Sequence, residues 1–267
     1  MQWEELTGDQ FVEAIEQSEG VCLLPLSVLE RHGHHLPLGT DTYIGHEICR
    51  RAAALEPAVV FPNYIFTQIP EARHLAGTVA IDPDLMLRLL DNVCREIARN
   101  GLKKIVLVNA HGGNHGLISF FNMIQLHSPR DYVVYLVQPH TLLFGGKLDA
   151  PWEPSTDGHA GPGETSLILA IRPDLVDMQR VPADDEGKAL NRLQTLREAG
   201  VQTGIWWYAD HPTHYQGDAN PATAEVGDRL FDAMAEALAR QIRVIKEDRT
   251  TQQLQDEFYA RHNKPSV

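Results

Sequence analysis

The sequence predicts an α/β layered fold built on a mostly parallel sheet. Two short runs of apolar residues, Val21–Leu26 and 105–108, read as buried strands. Segments whose apolar residues recur at helical spacing alternate with these runs, as in βαβ units. Glycine- and histidine-rich loops follow both strands, and in such sheets ligands collect outside the carboxyl ends of the strands.

Taken in order, Thr7 and Gln10 make a capping box for a short helix carrying Phe11 and Ile15 on one face, which leads into the first strand. Past Asp41, the residues Ile44, Ile48, Ala52 and Leu55 keep helical spacing until Pro57 stops the pattern. A second strand is expected over 59–61. The segment 62–80 is long for a structureless connection and so points to a functional loop; it holds Glu71, His74, Gly77 and Thr78. Asp82 is expected to cap, and Pro83 to open, a helix through Leu85, Leu89, Leu90, Val93 and Ile97 that Asn100-Gly101 ends. The strand at 105–108 runs into Asn109-Ala110-His111-Gly112-Gly113-Asn114-His115-Gly116, followed by an apolar helix through Ile118, Phe121, Ile124 and Leu126.

A further strand is expected over 132–137, then irregular chain over 138–162. A helix begins near Gly163-Glu164-Thr165 and continues to Ile171, before Pro173. The stretch 204–219, with Trp206, Trp207, Tyr208, Asp210, His211, His214 and Tyr215, reads as pocket wall or subunit contact, and equally as a loop packed by its own aromatics. Asn220-Pro221 starts the last long helix, carrying Val226, Leu230, Met234, Leu238, Ile242 and Ile245, and 247–267 is a solvated helix end or an oligomer arm. No repeat or low-complexity linker divides the chain, so 1–267 is read as one domain.

Composition narrows the function. With 36 acidic against 23 basic residues the formal net charge is −13, which disfavours nucleic acid or an anionic membrane surface as partner and leaves small molecules open. No apolar run approaches the ~20 residues that span a bilayer. Glu4, Glu5 and Asp9 stand where a signal peptide would be basic and apolar, so a cytoplasmic location is expected. Cys22, Cys49 and Cys94 form no Cys-x-x-Cys pair and are expected in the core.

The chemistry concentrates in Glu30-Arg-His-Gly-His-His-Leu-Pro-Leu-Gly-Thr-Asp41, which gathers two carboxylates and three histidines just after a strand. Glu30 and His32 are one residue apart, so in an extended segment both point to the same side. Asp41 returns across the bends at Gly33 and Gly39, and a short carboxylate there can bridge two cations. Imidazole nitrogen mixed with carboxylate oxygen, without thiolate, suits zinc, manganese or iron. Plainer readings stay open: Asp41 as a helix cap, Glu164 as a first-turn carboxylate, His159 and His35 as groups that orient loops. The turn at His111 offers a ligand plus backbone N–H groups for a substrate oxygen. A phosphate cradle is the weaker alternative, because neither G-x-G-x-x-G nor Gly-Lys-Ser/Thr is present.

Three ordered motifs, Glu30-x-His32-Gly-x-His35-Leu-Pro-Leu-Gly-Thr-Asp41, Asn109-x-His111-Gly-Gly-Asn114 and His159-Ala-Gly-x-x-Glu164-Thr-Ser166, together resemble the creatininase (creatinine amidohydrolase) family. Gly77-Thr78, Gly217-Asp218 and Pro221-Ala222-Thr223-Ala224-Glu225 are also similar to its pattern. The resemblance implies a three-layer α/β/α sandwich, commonly a homohexamer, with two divalent ions per subunit. Carried over residue by residue, Glu30, Asp41 and His111 would hold one ion, and His32, the bridging Asp41 and Glu164 the other. A water or hydroxide between the ions would attack a C–N bond in an amide, cyclic amide or formamide of a small molecule. His159 would protonate the leaving nitrogen, while Gly112, Gly113, Thr78, His35 and Trp207 are assigned to the substrate side.

Two departures matter. Members that act on creatinine carry Tyr and Glu where this chain has Gly112 and Gly113, so creatinine is not the expected substrate and Glu164 has to complete the second metal site. Pro162 stands where many members have Glu. The acidic balance and the aromatics around Trp207 suggest a neutral or cationic, ring-shaped molecule. The rival readings are a metal-dependent hydrolase of a lactone or C–C bond in an oxidised sugar, and a non-catalytic scaffold or binding protein.

Overall fold

The computed structural model describes residues 1–139, 150–183 and 185–262. Strands β1 (Val21–Leu26), β2 (Val59–Val60), β3 (Lys104–Asn109) and β4 (Val133–Val137) form one parallel sheet in the order β2-β1-β3-β4. The helices are α1 (Gly8–Gln17), α2 (Thr40–Leu55), α3 (Pro83–Arg99), α4 (His115–Ile124), α5 (Pro162–Ile171), α6 (Gln194–Glu198), α7 (Trp206–Asp210), α8 (Ala224–Glu247) and α9 (Thr250–His262).

Side chains alternate along a strand, and that period sorts the core into two halves. Val21, Leu23, Val106 and Val108 face α2, α5 and α8 through Ile44, Ile48, Leu167, Ile168, Leu230 and Met234. Cys22, Leu24, Leu26, Ile105 and Leu107 face α1, α3 and α4 through Ala14, Leu90, Cys94, Ile97, Ile118 and Phe121. The result is three layers, α/β/α, with the sheet buried on both faces, as its nearly continuous apolar strands require. The three cysteines are buried and free.

Pro25 sits inside β1 without breaking it. Leu23 O accepts from Phe61 N and Ser27 N donates to Tyr64 O, so the odd residues of β1 turn their backbone toward β2. Pro25 lies past the end of that two-residue strand, where its missing N–H removes no ladder bond. On the opposite layer α5 and α8 approach closely at Gly227, where a Cβ would lie 1.9 Å from Ser166 O.

Helix ends follow the sequence in most places. Both halves of the capping box form, Thr7 N donating to Gln10 Oε1 at 2.9 Å and Gln10 N to Thr7 Oγ1 at 3.4 Å. Asp82 occupies the cap position of α3 but its side chain makes no capping bond, so Pro83 alone sets that start. The last long helix begins later than expected, at Ala224, with Thr223 Oγ1 accepting from Val226 N at 3.2 Å. Asn220 is held in a turn instead, because Asp218 Oδ1 accepts from its backbone N at 3.0 Å and its side-chain Nδ2 at 2.8 Å. Asp248 then interrupts the chain by accepting from Thr250 N at 2.8 Å and Thr251 N at 3.1 Å, which starts α9. Parts of the expectations for 138–162 and 247–267 fall at 140–149 and 263–267, outside the described residues.

The long 62–80 segment packs Ile69 and Ala72 against Val28 of the loop after β1, and Thr67 Oγ1 donates to Ser27 O at 2.8 Å. Among the described residues no helix is long and apolar enough to cross a membrane.

Candidate metal centre

The site forms where β1 and β3, neighbours in the sheet, end together. Glu30 and His32 lie in the loop after β1, held there by Glu30 N donating to Leu38 O at 3.1 Å. His111 lies two residues past β3, and Ala110 N, donating to Leu26 O at 3.0 Å, carries the β1–β3 pairing up to it. Asp41 comes from the first turn of α2, whose cap position is taken by Gly39, so its carboxylate is released from capping. Glu164 comes from the first turn of α5, which Pro162 opens, and its Oε2 accepts from Ala160 N at 2.6 Å.

These side chains converge. Asp41 divides its oxygens: Oδ1 is 3.1 Å from His32 Nε2 and Oδ2 is 3.1 Å from His111 Nδ1. Glu30 Oε1 is 2.8 Å from the same His111 nitrogen, and Glu164 Oε2 is 3.7 Å from His32 Nε2. His32 Nδ1–H donates to Glu30 O at 3.3 Å, which leaves Nε2 as the nitrogen turned to the carboxylates.

Whether these residues suit a metal can be asked of their polar atoms. Glu30 Oε1 and Asp41 Oδ2 are buried yet have no hydrogen-bond partner. Buried carboxylate oxygens generally need a partner, so two of them gathered around one imidazole nitrogen without a well-formed hydrogen bond are suited to a cation. Glu30, Asp41 and His111 each offer one ligand atom within 4.8 Å of the others, as do His32, His159 and Glu164, and Glu30, His159 and His214. The donor set of imidazole and carboxylate fits zinc, manganese or iron.

The electrostatics agree. Burial works against charge on His111, yet the Glu30 and Asp41 carboxylates hold it well above the usual histidine range. Burial also opposes charge on His32, which Asp41, Glu164 and Glu30 nonetheless bring up to about 9. Glu164, by contrast, is pushed up to about 8, first by burial, against the pull of His32. The carboxylates thus draw positive charge into their midst; a divalent ion would supply it and release these protons. His159 is driven well below its usual value by burial and by His32, whose ring centre is 4.2 Å away.

A cavity of ≈ 390 Å³ opens onto this cluster. Of the residues singled out by sequence, Glu30, Asp41, His111, Gly112, Gly113, His159, Glu164 and Trp207 line it. His32 is fully buried behind Asp41. Two residues assigned to the substrate side are elsewhere: His35 Nε2 pairs with Thr165 Oγ1 at 2.9 Å, and Thr78 Oγ1 donates to Ala72 O at 2.9 Å, and neither is among the described lining residues. His35 braces the loop against α5, the plainer of its two sequence readings.

Two residues without an assigned role by sequence also reach the site. His214 bonds Glu30 Oε2, and its only sequence signal was membership of the aromatic, histidine-rich stretch. Glu71, from the 62–80 segment, puts Oε1 3.9 Å from His111 Nε2 and takes hydrogen bonds from Gln68 Nε2 at 2.9 and 3.0 Å. Gly113 exists to make room for it, since a Cβ there would sit 2.3 Å from Glu71 Oε1 and 2.5 Å from His111 Nε2.

A sequence model of the family described as creatinine amidohydrolase matches residues 4–242. The chain is 31% identical over 239 residues to a mycofactocin precursor peptide peptidase from Mycolicibacterium smegmatis, covering 86% of this chain and 87% of that protein. It is 27% identical over 192 residues to creatinine amidohydrolase from Pseudomonas putida, covering 66% of this chain and 74% of the relative. The solved structure of a manganese creatininase superposes with a TM-score of 0.69 at 23% identity, over 92% of this chain and 99% of that one.

Proposed function

Since the chain belongs to the creatininase family, we propose that it is a dinuclear metal-dependent hydrolase cleaving an amide, cyclic amide or formamide C–N bond in a small molecule. The observation that carries this reading is the division of the Asp41 oxygens between His32 and His111. One carboxylate facing two imidazoles is the arrangement a bridging ligand needs. Glu30, Asp41 and His111 would hold one ion and His32, Asp41 and Glu164 the other. Zinc or manganese, when bound there, supplies Lewis acidity and an acidified water.

The rest falls to the chain itself. Gly112 and Gly113 begin a short helical turn, so their N–H groups have no acceptor within it and can meet a carbonyl oxygen in the cavity. His159 Nε2–H donates to Arg31 O at 2.8 Å, which holds the ring at the cavity wall. A neutral imidazole cannot begin as an acid. His159 therefore first takes a proton from the attacking water and then hands it to the leaving nitrogen, a sharper role than that of donor alone. Glu71 and the faces of Trp206 and Trp207 favour a neutral or cationic substrate. A side chain at 113, as creatinine-acting members carry, would press on Glu71 and on the His111 ring as they stand here.

The test is elemental mass spectrometry on protein purified without added metal or chelator, followed by a screen of formamides, cyclic amides and short peptides. About two divalent ions per chain and turnover of at least one C–N substrate are expected. A protein that holds no ion after resupply of zinc or manganese overturns the reading, and turnover confined to lactones or oxidised sugars overturns the bond assignment. The same proposal takes 1–267 as one domain of a homohexamer, which light scattering in solution checks.

A further inference from the structure

One hydrogen-bond chain, half-buried at Trp207 and buried at His214 and Glu30, runs from the cavity wall to the Glu30 carboxylate. Trp207 Nε1–H donates to His214 Nδ1 at 2.8 Å. Indole nitrogen is a donor only, so Nδ1 is bare and the ring proton sits on Nε2, which donates to Glu30 Oε2. Nε2 is then no lone pair for an ion, and the grouping of Glu30, His159 and His214 is not a third metal site. Glu30 Oε1, the other oxygen, is left without a hydrogen-bond partner, 2.8 Å from His111.

The backbone is built around this contact. His214 has φ 58°, in the left-handed region that a residue with a Cβ rarely adopts. Local bonds enforce it: His214 N donates to His211 O at 3.0 Å, and Gly33 N donates to His214 O at 3.3 Å. That last bond ties the aromatic stretch to the loop carrying Glu30 and His32.

We propose that His214, locked in one tautomer by Trp207, is a positioning residue that occupies one oxygen of Glu30 and so turns the other toward the ion. The proposal rests on the metal-site reading above.

Zinc affinity of the metal-stripped full chain, measured by competition with a chromophoric chelator, tests it. His214→Phe is expected to weaken zinc binding about 10–100-fold, the usual effect of losing a partner of a metal ligand. His214→Gln, whose amide can still donate to Glu30 Oε2, recovers part of that loss. Trp207→Phe keeps the aromatic wall and weakens binding less. Thermal unfolding of the metal-stripped variants guards against a folding defect. Equal losses of unfolding midpoint in the Phe and Gln variants with parental zinc affinity would mean a merely structural role and sink the proposal. Glu30→Gln separates it from its premise: if Glu30→Gln loses zinc and His214→Phe does not, only the positioning role fails. If Glu30→Gln also keeps parental affinity, the metal site itself is misplaced.

Discussion

The floor and the lip of the cavity use the same residue types in opposite ways. The floor, Glu30, His32, Asp41 and His111, hangs from two adjacent strand ends and the first turn of α2, and it leaves Glu30 Oε1, Asp41 Oδ2 and His111 Nε2 buried and without hydrogen-bond partners. At the lip, Trp207 bonds His214 and His214 bonds Glu30 Oε2, while Trp206 is 57% exposed. An unsatisfied buried polar atom costs about 1–3 kcal/mol, so a fold keeps several together only where something else completes them. On the proposed metal reading the floor is specified by what it binds, and the lip by how it packs.

The hardest blow to the floor is Asp41→Asn. One amide nitrogen replaces one ligand oxygen, so the variant should lose most of both ions and at least ~10²–10³-fold in kcat/KM, the scale for removing one preorganised group. Glu164→Gln should lose only one ion, because Glu164 faces His32 and not His111. Elemental mass spectrometry beside rate measurement reads both. Equal losses of metal in the two variants would show that Asp41 is not the bridge.

A wider test of how the floor is braced is its dependence on pH. Burial, with His32 and His34 nearby, lowers His35 from 6.5 to about 4. The unfolded chain therefore binds more protons at this residue than the folded one between these values, so stability is full above 6.5 and is lost as pH falls toward 4. The loss between pH 7.5 and 5 is about 2 kcal/mol. His32 works the other way, since its folded value of about 9 gives stability that is present below 6.5 and fades as pH rises through 9. Chemical denaturation of the metal-free parent and of His35→Gln at pH 7.5 and 5 isolates the first term. An unchanged pH slope in the variant would remove His35 from the account.

Gly113→Ala probes the seam where floor meets wall. The new Cβ meets the ends of Glu71 and Gln68, which can swing aside, and His111, which cannot. The expected cost is about 1 kcal/mol, the low end for overpacking, with weaker retention of the ion at His111. Adding Glu71→Ala should recover part of the stability and little of the ion retention.

The two regions also differ in how readable they were. The convergence of the floor was legible because its candidate ligands sit on sequence-local geometry: Glu30 and His32 share one side of an extended segment, and a strand of branched residues delivers His111. Asp41 could not be told from a cap until Gly39 was seen in the cap position. The lip was legible only as an aromatic cluster. His214 reaches Glu30 across 184 residues of sequence, and Glu71 reaches His111 from a loop with no periodicity, so neither contact leaves a local signal. The late start of α8 has the same origin, since the side chain of Asp218 outcompetes a helix at Asn220.

Trp206→Ala should have the smallest effect, and it decides whether floor and lip are separable. The Trp206 ring meets Trp207 edge-on at 5.5 Å between centres and is mostly in solvent, so its loss should shift stability by no more than about 0.5–1 kcal/mol. Trp207 keeps its bond to His214, so zinc affinity and kcat should stay parental while KM rises for ring-shaped amides. The informative failure is a fall in zinc affinity. It would mean that Trp206 holds the indole of Trp207 in place, that the lip sets the floor's geometry through His214, and that the two regions are one device.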